Sequence, residues 1–376
     1  MKRRDFLWTT VAAGAAESAV LAAVAAPRAR ASLARQGQVP RPIRLASNEN
    51  PLGLSPAARQ AVLGAISEGN RYPRQERQAL IEAIAAKHGV PVDQVVLGAG
   101  STEILQMAVQ ATAPDAVVVV ADPTYEDVPQ YAAVSGRRVV KVPLRPDWGH
   151  DLDRMREAAE EARGEALVFI CSPNNPTGTL TPCDAVDAWI RAADARITFV
   201  VDEAYFEYAE DPAYRSAQSW IATRPNVVVL RTFSKIHAMA GMRLGYALAQ
   251  PATARKLRAW GCNNNANQLV LAAGRASLGD TAFHERSLAT NRAARRILFE
   301  CLDELGLEHL PSHANFVMHR ITGDLSTYIS RMRERGIWVG RQFPPLLTYS
   351  RVTIGLPEEM TAFAAELRGF RASGWV

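Results

Sequence analysis

The sequence has only four cysteines and no low-complexity tract after its first fifty residues. It also has no run of lysine and arginine interleaved with aromatic side chains. The cysteines form neither a CxxC pair nor a regular spacing, which argues against a zinc site and a disulfide framework, so we expect no metal and mostly buried thiols. The formal net charge of +5 lies in large part in the first 31 residues, and nothing suggests a nucleic-acid partner. With 48% hydrophobic and 22% charged residues among 376, the chain is typical of a soluble globular protein with more than one lobe.

Residues 1–31 are similar to an export signal. Arg3 and Arg4 precede an Ala- and Val-rich stretch, which ends near the small-residue site at Ala31. This order resembles a twin-arginine signal, which exports proteins already folded around a cofactor. Glu17 interrupts the apolar stretch, so a frayed N-terminus or an uncleaved anchor is the alternative. We expect periplasmic or exported protein, without stable membrane insertion after cleavage, and a cytoplasmic protein if the signal does not function.

Short runs of β-branched residues recur from Val95 onward, each followed by a turn and a helical stretch. The runs are VVLGAG, AVVVVADP, ALVFICSP, ITFVVDEA and NVVVLRTFSK. Because they are apolar throughout rather than alternating, they favour strands of a mostly parallel sheet with helices on both faces. The fold class is therefore α/β. Ligands in such sheets bind beyond the carboxyl ends of the strands, where Ser101, Asn175, Asp202 and Lys235 fall.

The pattern changes after Arg275 to charged helices and short strand-like pieces, near residues 283–304, 315–319, 351–354 and 360–370. This change predicts a smaller α+β domain. The expected organisation is a signal peptide over residues 1–31, an N-terminal arm over 32–70, a large cofactor-binding domain over 71–275 and a small C-terminal domain over 276–376.

Lys235 and Asp202 each follow a predicted strand. A single lysine in such a position is usually a solvated surface residue, but a carboxylate at a buried strand end must be paired or hydrogen-bonded. A protonated pyridine nitrogen is a suitable partner for Asp202, and holding that proton makes the ring an electron sink. Tyr205 and Asn175 could both point toward the phenolic oxygen of the same ring. The alternatives are an ordinary half-buried tyrosine and a simple Asn-Pro turn.

A phosphate needs backbone N–H groups at the start of a helix and one fixed cation. In GAGSTEIL, glycines make the turn while Ser101 and Thr102 open the helix. Arg243 in GMRLGY supplies the cation, with Ser234 as a further donor.

The same GAGSTE loop could instead bind the dinucleotide of a nicotinamide-dependent oxidoreductase. Glu103 stands where that fingerprint has its third glycine, so the fingerprint is incomplete. Asp122, about twenty residues farther on, keeps this alternative open.

Nine motifs in one order carry a family resemblance: SNENPLG, RYP, GAGSTE, ADPTYE, SPNNPTG, VVDEAY, RTFSK, GMRLGY and RVTIG. They resemble the fold type I enzymes that depend on pyridoxal 5'-phosphate (PLP), specifically the class I/II aminotransferases and most closely their histidinol-phosphate branch. The resemblance runs from about Ile43 to Leu367. It implies the PLP-dependent transferase fold with a seven-stranded sheet, PLP as the cofactor, and a homodimer.

The resemblance also implies catalytic roles for Lys235, Asp202 and Tyr205. Lys235 would hold the cofactor as a Schiff base and transfer the α-proton, and Asp202 would pair with the pyridine nitrogen. The residues expected at the ring oxygen and ring face are Asn175, Tyr205 and Tyr125. The residues expected at the phosphate are Ser101, Thr102, Ser234 and Arg243, with Tyr72 from the neighbouring subunit.

On the substrate side, the resemblance implies that Arg351 in RVTIG grips a carboxylate, because a guanidinium fork matches a carboxylate in a bidentate pair. Without the motif, a surface arginine on an edge strand would be the simpler interpretation. Asn175 is a second expected substrate contact. The chain departs from the family at Leu52, where an aromatic is frequent, and at Gly340, where an arginine is usual, so Arg341 is expected as a displaced grip.

The implied activity is amino-group transfer between an amino acid, or an amino-acid-like phosphate ester such as histidinol phosphate, and a 2-oxo acid by a ping-pong mechanism. The alternatives are another PLP reaction on the same fold, namely racemisation, decarboxylation or oxidation, and the nicotinamide-dependent oxidoreductase. His88, His237 and His313 lie in no triad or metal-ligand spacing, so we expect packing or helix-surface roles for them.

Overall fold

A seven-stranded sheet forms the centre of the computed structural model, which describes residues 42–376. The predicted export signal lies outside the described residues. The strands are β1 (Ile43–Leu45), β2 (Val95–Gly98), β3 (Val117–Asp122), β4 (Arg138–Pro143), β5 (Ala166–Cys171), β6 (Ile197–Asp202), β7 (Val227–Thr232), β8 (Gly245–Ala249), β9 (Phe316–Arg320), β10 (Ile337–Val339) and β11 (Tyr349–Thr353).

The order of the central sheet is β2-β8-β7-β6-β5-β3-β4. Neighbours from β4 to β7 are parallel, while β8 runs antiparallel to both β7 and β2. The prediction of a mostly parallel seven-stranded α/β sheet is confirmed. The five apolar runs in the sequence did not predict β4 or β8. In β4 this is because Arg138 and Lys141 are exposed, so the edge strand has no continuous apolar run.

Helices cover both faces of this sheet. The helices in residues 42–376 are α1 (Pro56–Ala65), α2 (Arg74–His88), α3 (Ser101–Gln110), α4 (Asp127–Val134), α5 (Leu152–Glu160), α6 (Cys183–Ala192), α7 (Pro251–Arg258), α8 (Gln268–Leu278), α9 (Thr281–Glu304), α10 (Leu325–Glu334) and α11 (Pro357–Ala372), and the last three belong to the C-terminal core. Successive residues of β3 alternate between two cores, with Val117 and Val119 in one and Val118 and Val120 in the other. This alternation explains why the strand must be apolar throughout.

A further core lies among the C-terminal elements. It is built from α9, α10 and α11 with strands β9, β10 and β11, and Leu45 of β1 belongs to it. β1 pairs in parallel with β10, placing Ile43 opposite Ile337, and β11 pairs antiparallel with β9. The elements α9, β9, β11 and α11 lie close to the predicted ranges, whereas α10 and β10 were not predicted. The domain boundaries themselves stay a prediction.

The cysteines divide evenly between core and surface. Cys171 and Cys301 are buried, Cys183 is partly exposed and Cys262 is exposed, so the expectation of mostly buried thiols holds for two of the four. No helix among residues 42–376 combines the length and apolar character that a membrane crossing requires.

Candidate active site

One cavity of about 750 Å³ opens at the carboxyl ends of β5, β6 and β7 and is closed on its other side by residues from β10 and β11. All of the predicted site residues except Tyr72 line it. These residues are Ser101, Thr102, Tyr125, Asn175, Asp202, Tyr205, Ser234, Lys235, Arg243, Arg341 and Arg351. Tyr72 is 78% exposed and lies outside this cavity.

Lys235 enters the cavity from the turn that follows β7. Phe233 and Ile236 beside it are fully buried and anchor the turn. Its Nζ donates to the backbone carbonyl of Asn48 at 3.1 Å. Burial, reinforced by the positive charges of Arg351 and Arg243, lowers the pKa of Lys235 to about 7. The amine is therefore partly neutral near physiological pH.

Asp202 is the last residue of β6 and is 3% exposed. Its Oδ1 accepts a hydrogen bond from the backbone N–H of Ala204 at 3.0 Å. Within residues 42–376, no lysine or arginine forms an ion pair with it. Burial raises the pKa of Asp202 to about 7. A buried carboxylate in this state is suited to a cationic N–H partner brought by a ligand.

Asn175 and Tyr205 both present a hydrogen-bond donor to the cavity. Oδ1 of Asn175 accepts from Nη1 of Arg351 at 2.6 Å, which leaves the amide Nδ2 as a donor. The Tyr205 oxygen accepts from Nδ2 of Asn48 at 3.0 Å, which leaves the phenolic hydrogen as a donor. Burial raises the pKa of Tyr205, so its hydroxyl keeps its proton. Two neutral donors are a suitable environment for an ionised ring oxygen.

At the opposite end, the N-terminus of α3 and the Arg243 guanidinium form an anion-binding cradle. Gly100 precedes the helix with a φ of +81°, and a side chain there would collide with the Arg243 guanidinium. Nη1 of Arg243 donates to Ser234 Oγ at 3.3 Å and to the carbonyl of Ala240 at 2.9 Å. The N–H groups that open a helix, together with a fixed guanidinium, match a phosphate.

Tyr125 lines the cavity between this cradle and the strand ends. Its hydroxyl donates to Oδ2 of Asp127 at 2.8 Å and lies 3.4 Å from Thr102 Oγ1. These contacts hold the Tyr125 hydroxyl in place at the cavity wall.

Arg351 of β11 is 7% exposed and closes the substrate side. Its Nη2 donates to the carbonyl of Ala46 at 2.9 Å, while its buried Nε has no partner within residues 42–376. The guanidinium carbon lies 4.3 Å from the centroid of the Phe343 ring. Burial lowers the pKa of Arg351 to about 10, so the side chain stays cationic at neutral pH. Each Nη keeps a second hydrogen beside its bond to Asn175 or Ala46, so this guanidinium on the cavity wall is suited to a ligand anion.

Arg341 lies at the mouth of the cavity, exposed and paired with Glu126 across it. Gly340 precedes it, where a Cβ would lie 2.7 Å from the carbonyl oxygen of Arg351. The backbone therefore passes too close to β11 for any side chain at position 340, and the guanidinium at 341 reaches the rim instead.

Sequence reasoning missed two residues of the site. Asn48 contacts both Lys235 and Tyr205, and its only signal was its place in the SNENPLG motif. Glu126 also had only its place in a motif, ADPTYE, and its contact with Arg341 joins positions 215 residues apart.

The three histidines lie away from this cavity. His88 contacts Gln218 and Tyr246, and His237 contacts Ser277 and His284. These contacts connect neighbouring elements away from the cavity, which agrees with the packing roles expected for His88 and His237.

The residues present fit PLP. The cavity combines an anion cradle, a buried carboxylate without an ion-pair partner, two neutral donors and an amine whose pKa is lowered. An α/β fold with this site defines a PLP-dependent enzyme of fold type I.

Comparison with known proteins agrees with this class. Residues 40–367 match the aminotransferase class I and II family, and the chain belongs to that family. It is 40% identical over 331 residues to histidinol-phosphate aminotransferase 1 of Cupriavidus pinatubonensis, which covers 86% of this chain and 87% of the relative.

Solved structures give the same result. A crystal structure from Erwinia carotovora atroseptica is 38% identical, with a TM-score of 0.88 over 89% of this chain and 97% of that one. The PLP complex of histidinol-phosphate aminotransferase from Sinorhizobium meliloti is 28% identical, with a TM-score of 0.82 over 89% and 92%. The protein is a PLP-dependent aminotransferase, and PLP is its cofactor.

Proposed function

We propose that this aminotransferase carries out its chemistry through Lys235 and Asp202. The observation that supports this most strongly is that both side chains line one cavity, where burial brings the pKa of each to about 7. An amine with a lowered pKa is a better nucleophile and base at neutral pH, and a carboxyl with a raised pKa is suited to a cationic partner.

The remaining residues divide between the parts of the cofactor. Asp202 pairs with the ring nitrogen, Asn175 and Tyr205 donate to the ring oxygen, and Tyr125 packs on the ring face. The phosphate is held by Ser101, Thr102, Ser234 and Arg243. When bound, PLP supplies an electron sink that stabilises negative charge at the substrate α-carbon.

Lys235 has two tasks in this proposal. It holds the cofactor covalently between turnovers. During turnover its neutral amine would take the α-proton of the substrate and deliver it to a carbon of the cofactor. A base operates best when its pKa lies near the working pH. The observed environment of Lys235 supplies that match, because two guanidinium groups and burial all disfavour its charged form.

Arg351 binds the anionic group next to the reacting carbon, using the Nη hydrogens that are not engaged with Asn175 and Ala46. Arg341 contacts the distal part of the substrate at the cavity rim. The amino donor is an α-amino acid or an amino-acid-like phosphate ester such as histidinol phosphate, the substrate named for the relatives above, and the acceptor is a 2-oxo acid.

We also propose a homodimer in which Tyr72 reaches the cofactor phosphate of the neighbouring subunit. Its support is the 78% exposure of Tyr72 and its position outside the cavity of its own chain. Export through the twin-arginine pathway is proposed from the order of residues 1–31 alone.

The test is the visible absorbance of the purified protein before and after borohydride reduction, followed by peptide mapping. We expect a visible band that borohydride abolishes while it attaches the cofactor permanently to Lys235. Lys235→Ala should lack this band and Lys256→Ala should keep it, since Lys256 is an exposed lysine paired with Glu165. A label on another residue would contradict the proposal.

Amino acids and histidinol phosphate are then added singly to the unreduced protein. A donor that bleaches the band, with recovery on adding a 2-oxo acid, identifies transamination and the substrate class together. Turnover without any 2-oxo acid would instead support racemisation or decarboxylation on the same fold.

A further inference from the structure

Asn48 contacts two residues that have catalytic roles in the proposed function. Its carbonyl oxygen accepts from Nζ of Lys235 at 3.1 Å, and its side-chain Nδ2 donates to the Tyr205 hydroxyl oxygen at 3.0 Å. The residue is 1% exposed. It belongs to the segment that follows β1, so the contact joins the start of the described chain to two strand ends of the central sheet.

The orientation of the Asn48 amide is set by Thr353 of β11. The backbone N–H of Asn48 donates to Oγ1 of Thr353 at 2.8 Å, so the threonine hydrogen is free for Oδ1 of Asn48, at 3.2 Å. With Oδ1 occupied as an acceptor, Nδ2 is the group that faces Tyr205. The hydrogen bonds therefore run in one direction, from Thr353 through Asn48 to Tyr205.

This direction has a consequence for Tyr205. Its oxygen accepts from Asn48, and no acceptor for its own hydrogen lies within hydrogen-bond distance in the described part of the chain. The hydroxyl lines the cavity, so its hydrogen is available to a ligand oxygen. A phenol whose oxygen accepts a hydrogen bond is also the stronger donor, because successive hydrogen bonds polarise one another.

We propose that Asn48 is a positioning residue that holds the Tyr205 hydroxyl as a donor toward the ring oxygen of the cofactor. The inference rests on the roles proposed for Lys235 and Tyr205. A hydrogen bond to an ionised oxygen favours the ionised form. Negative charge on the ring oxygen increases when the covalent linkage between Lys235 and the cofactor loses its proton. Asn48 therefore lowers the pH at which that proton is lost.

The backbone at Asn48 allows its two contacts to be separated. Its φ is +54°, in the left-handed region that glycine adopts freely and asparagine tolerates. Asn48→Gly keeps this backbone and the carbonyl that holds Lys235, and removes only the amide that faces Tyr205. Asn48→Ala would add backbone strain and is the less informative variant.

The charged groups around the linkage stay in place in this variant. Lys235 faces Arg351, Arg243, Glu49 and Asp202, and Tyr205 faces Arg351 and Asp202. A change in titration is therefore assignable to the lost hydrogen bond.

The experiment is a pH titration of the visible absorbance of the holoenzyme for wild type, Asn48→Gly, Tyr205→Phe and the double variant. Asn48→Gly is expected to raise the midpoint by about half a unit to one unit, the size of one hydrogen bond. In the Tyr205→Phe background the same change is expected to shift nothing further, because the group through which Asn48 acts is gone. An unchanged midpoint in Asn48→Gly, or an equal shift in both backgrounds, overturns the proposal.

Asn48→Asp is the second variant, for use if the glycine variant does not fold. A carboxylate only accepts, so the Tyr205 hydroxyl turns toward it and the midpoint rises further. Part of that rise comes from the new charge and persists with Tyr205→Phe. A rise that is larger with Tyr205 than with phenylalanine supports the proposal, and equal rises overturn it.

Borohydride labelling of wild type separates this inference from the function on which it rests. A label away from Lys235 means that the proposed function fails. A label on Lys235 together with a wild-type midpoint in Asn48→Gly means that only the role of Asn48 fails.

Discussion

Arg351 and Asn175 are joined by a hydrogen bond of 2.6 Å between Nη1 of the guanidinium and Oδ1 of the amide. The contact connects β11 to the turn that follows β5, and it sets the orientation of both the Asn175 amide and the Arg351 guanidinium. The amide can present only its Nδ2 to the cavity, and the guanidinium is held between Asn175 and the carbonyl of Ala46. In the proposed function, one residue of this pair binds the substrate and the other binds the cofactor.

Arg351→Lys tests the substrate side of this pair. Lysine keeps the charge but cannot donate to Asn175, to Ala46 and to a ligand anion in one plane. We expect kcat/KM for the amino donor to fall about 10- to 100-fold, mainly through KM, as for the loss of a charge-assisted hydrogen bond. Steady-state kinetics measure this.

The control is Arg320→Lys, an exposed arginine on the neighbouring strand β9 that pairs with Glu308. It is expected to leave both parameters unchanged. A wild-type KM in Arg351→Lys would remove Arg351 from the substrate site.

Asp202→Asn tests whether the buried carboxyl lowers the stability of the folded apoprotein while it serves to bind PLP. Its pKa is raised from 3.8 to about 7, so the apoprotein binds this proton more tightly when folded. Stability from this group is therefore present below about pH 4 and is lost as the pH rises to about 7. We expect the apoprotein of Asp202→Asn to melt a few degrees higher than wild type at pH 8, with little difference at pH 4, and to bind PLP more weakly.

Thermal melts at the two pH values and a PLP titration check this expectation. Asp153→Asn, at a side chain that is 83% exposed, is the control and should shift neither quantity. An Asp202→Asn apoprotein that is less stable than wild type at pH 8 would contradict the assignment of burial as the dominant effect.

Mixed dimers test the proposed reach of Tyr72 into the neighbouring site. Tyr72→Phe and Lys235→Ala subunits are each expected to be impaired alone. When they are unfolded and reassembled together, hybrid dimers contain one site with both an intact Lys235 and an intact Tyr72 from the partner. About one site in four is then restored after random pairing. Activity no higher than the mean of the two parents would show that Tyr72 acts within its own chain or not at all.

The buried ion pair behind Asp202 predicts a stability effect. Nη2 of Arg231 lies 2.7 Å from Oε2 of Glu203, with the two side chains 7% and 1% exposed. Arg231→Met leaves Glu203 buried without its cation, which is expected to cost about 3–5 kcal/mol of unfolding free energy. Denaturant unfolding measures the loss.

Glu203→Gln added to Arg231→Met should recover part of that loss, because it removes the unpaired charge. The amide oxygen still accepts from the backbone N–H of Ala217, and the amide nitrogen that replaces Oε2 can donate to Oγ of Ser216. An equal or larger loss in the double variant would show that packing, rather than charge, is responsible.

Local chemistry made much of the fold predictable. Strands β3, β5, β6 and β7 are apolar throughout because each is buried on both faces, and such runs are visible in the sequence. Strand β4 was not visible, since an edge strand with exposed Arg138 and Lys141 lacks that pattern. Two of the three C-terminal helices, α9 and α11, were predicted as charged helical stretches, whereas α10 was not predicted.

The cavity was predictable in part. Residues at the ends of parallel strands meet at one edge of a sheet, so the grouping of Asn175, Asp202 and Lys235 follows from their positions after strands. The contacts of Asn48 and the pair between Arg341 and Glu126 do not follow, because each joins segments that are far apart in sequence.

The sequence by itself therefore determined the α/β class, the order of the strand ends and the residue types that suit PLP, because burial and strand-end positions leave a local pattern. The tertiary structure decided which groups are free to act. Only it shows that Thr353 orients the Asn48 amide, that the backbone at Gly340 leaves no room for a side chain, and that Arg351 occupies Oδ1 of Asn175 and so leaves Nδ2 as the donor. Hydrogen-bond direction and steric exclusion depend on distances across the fold, and no local pattern in the sequence records them.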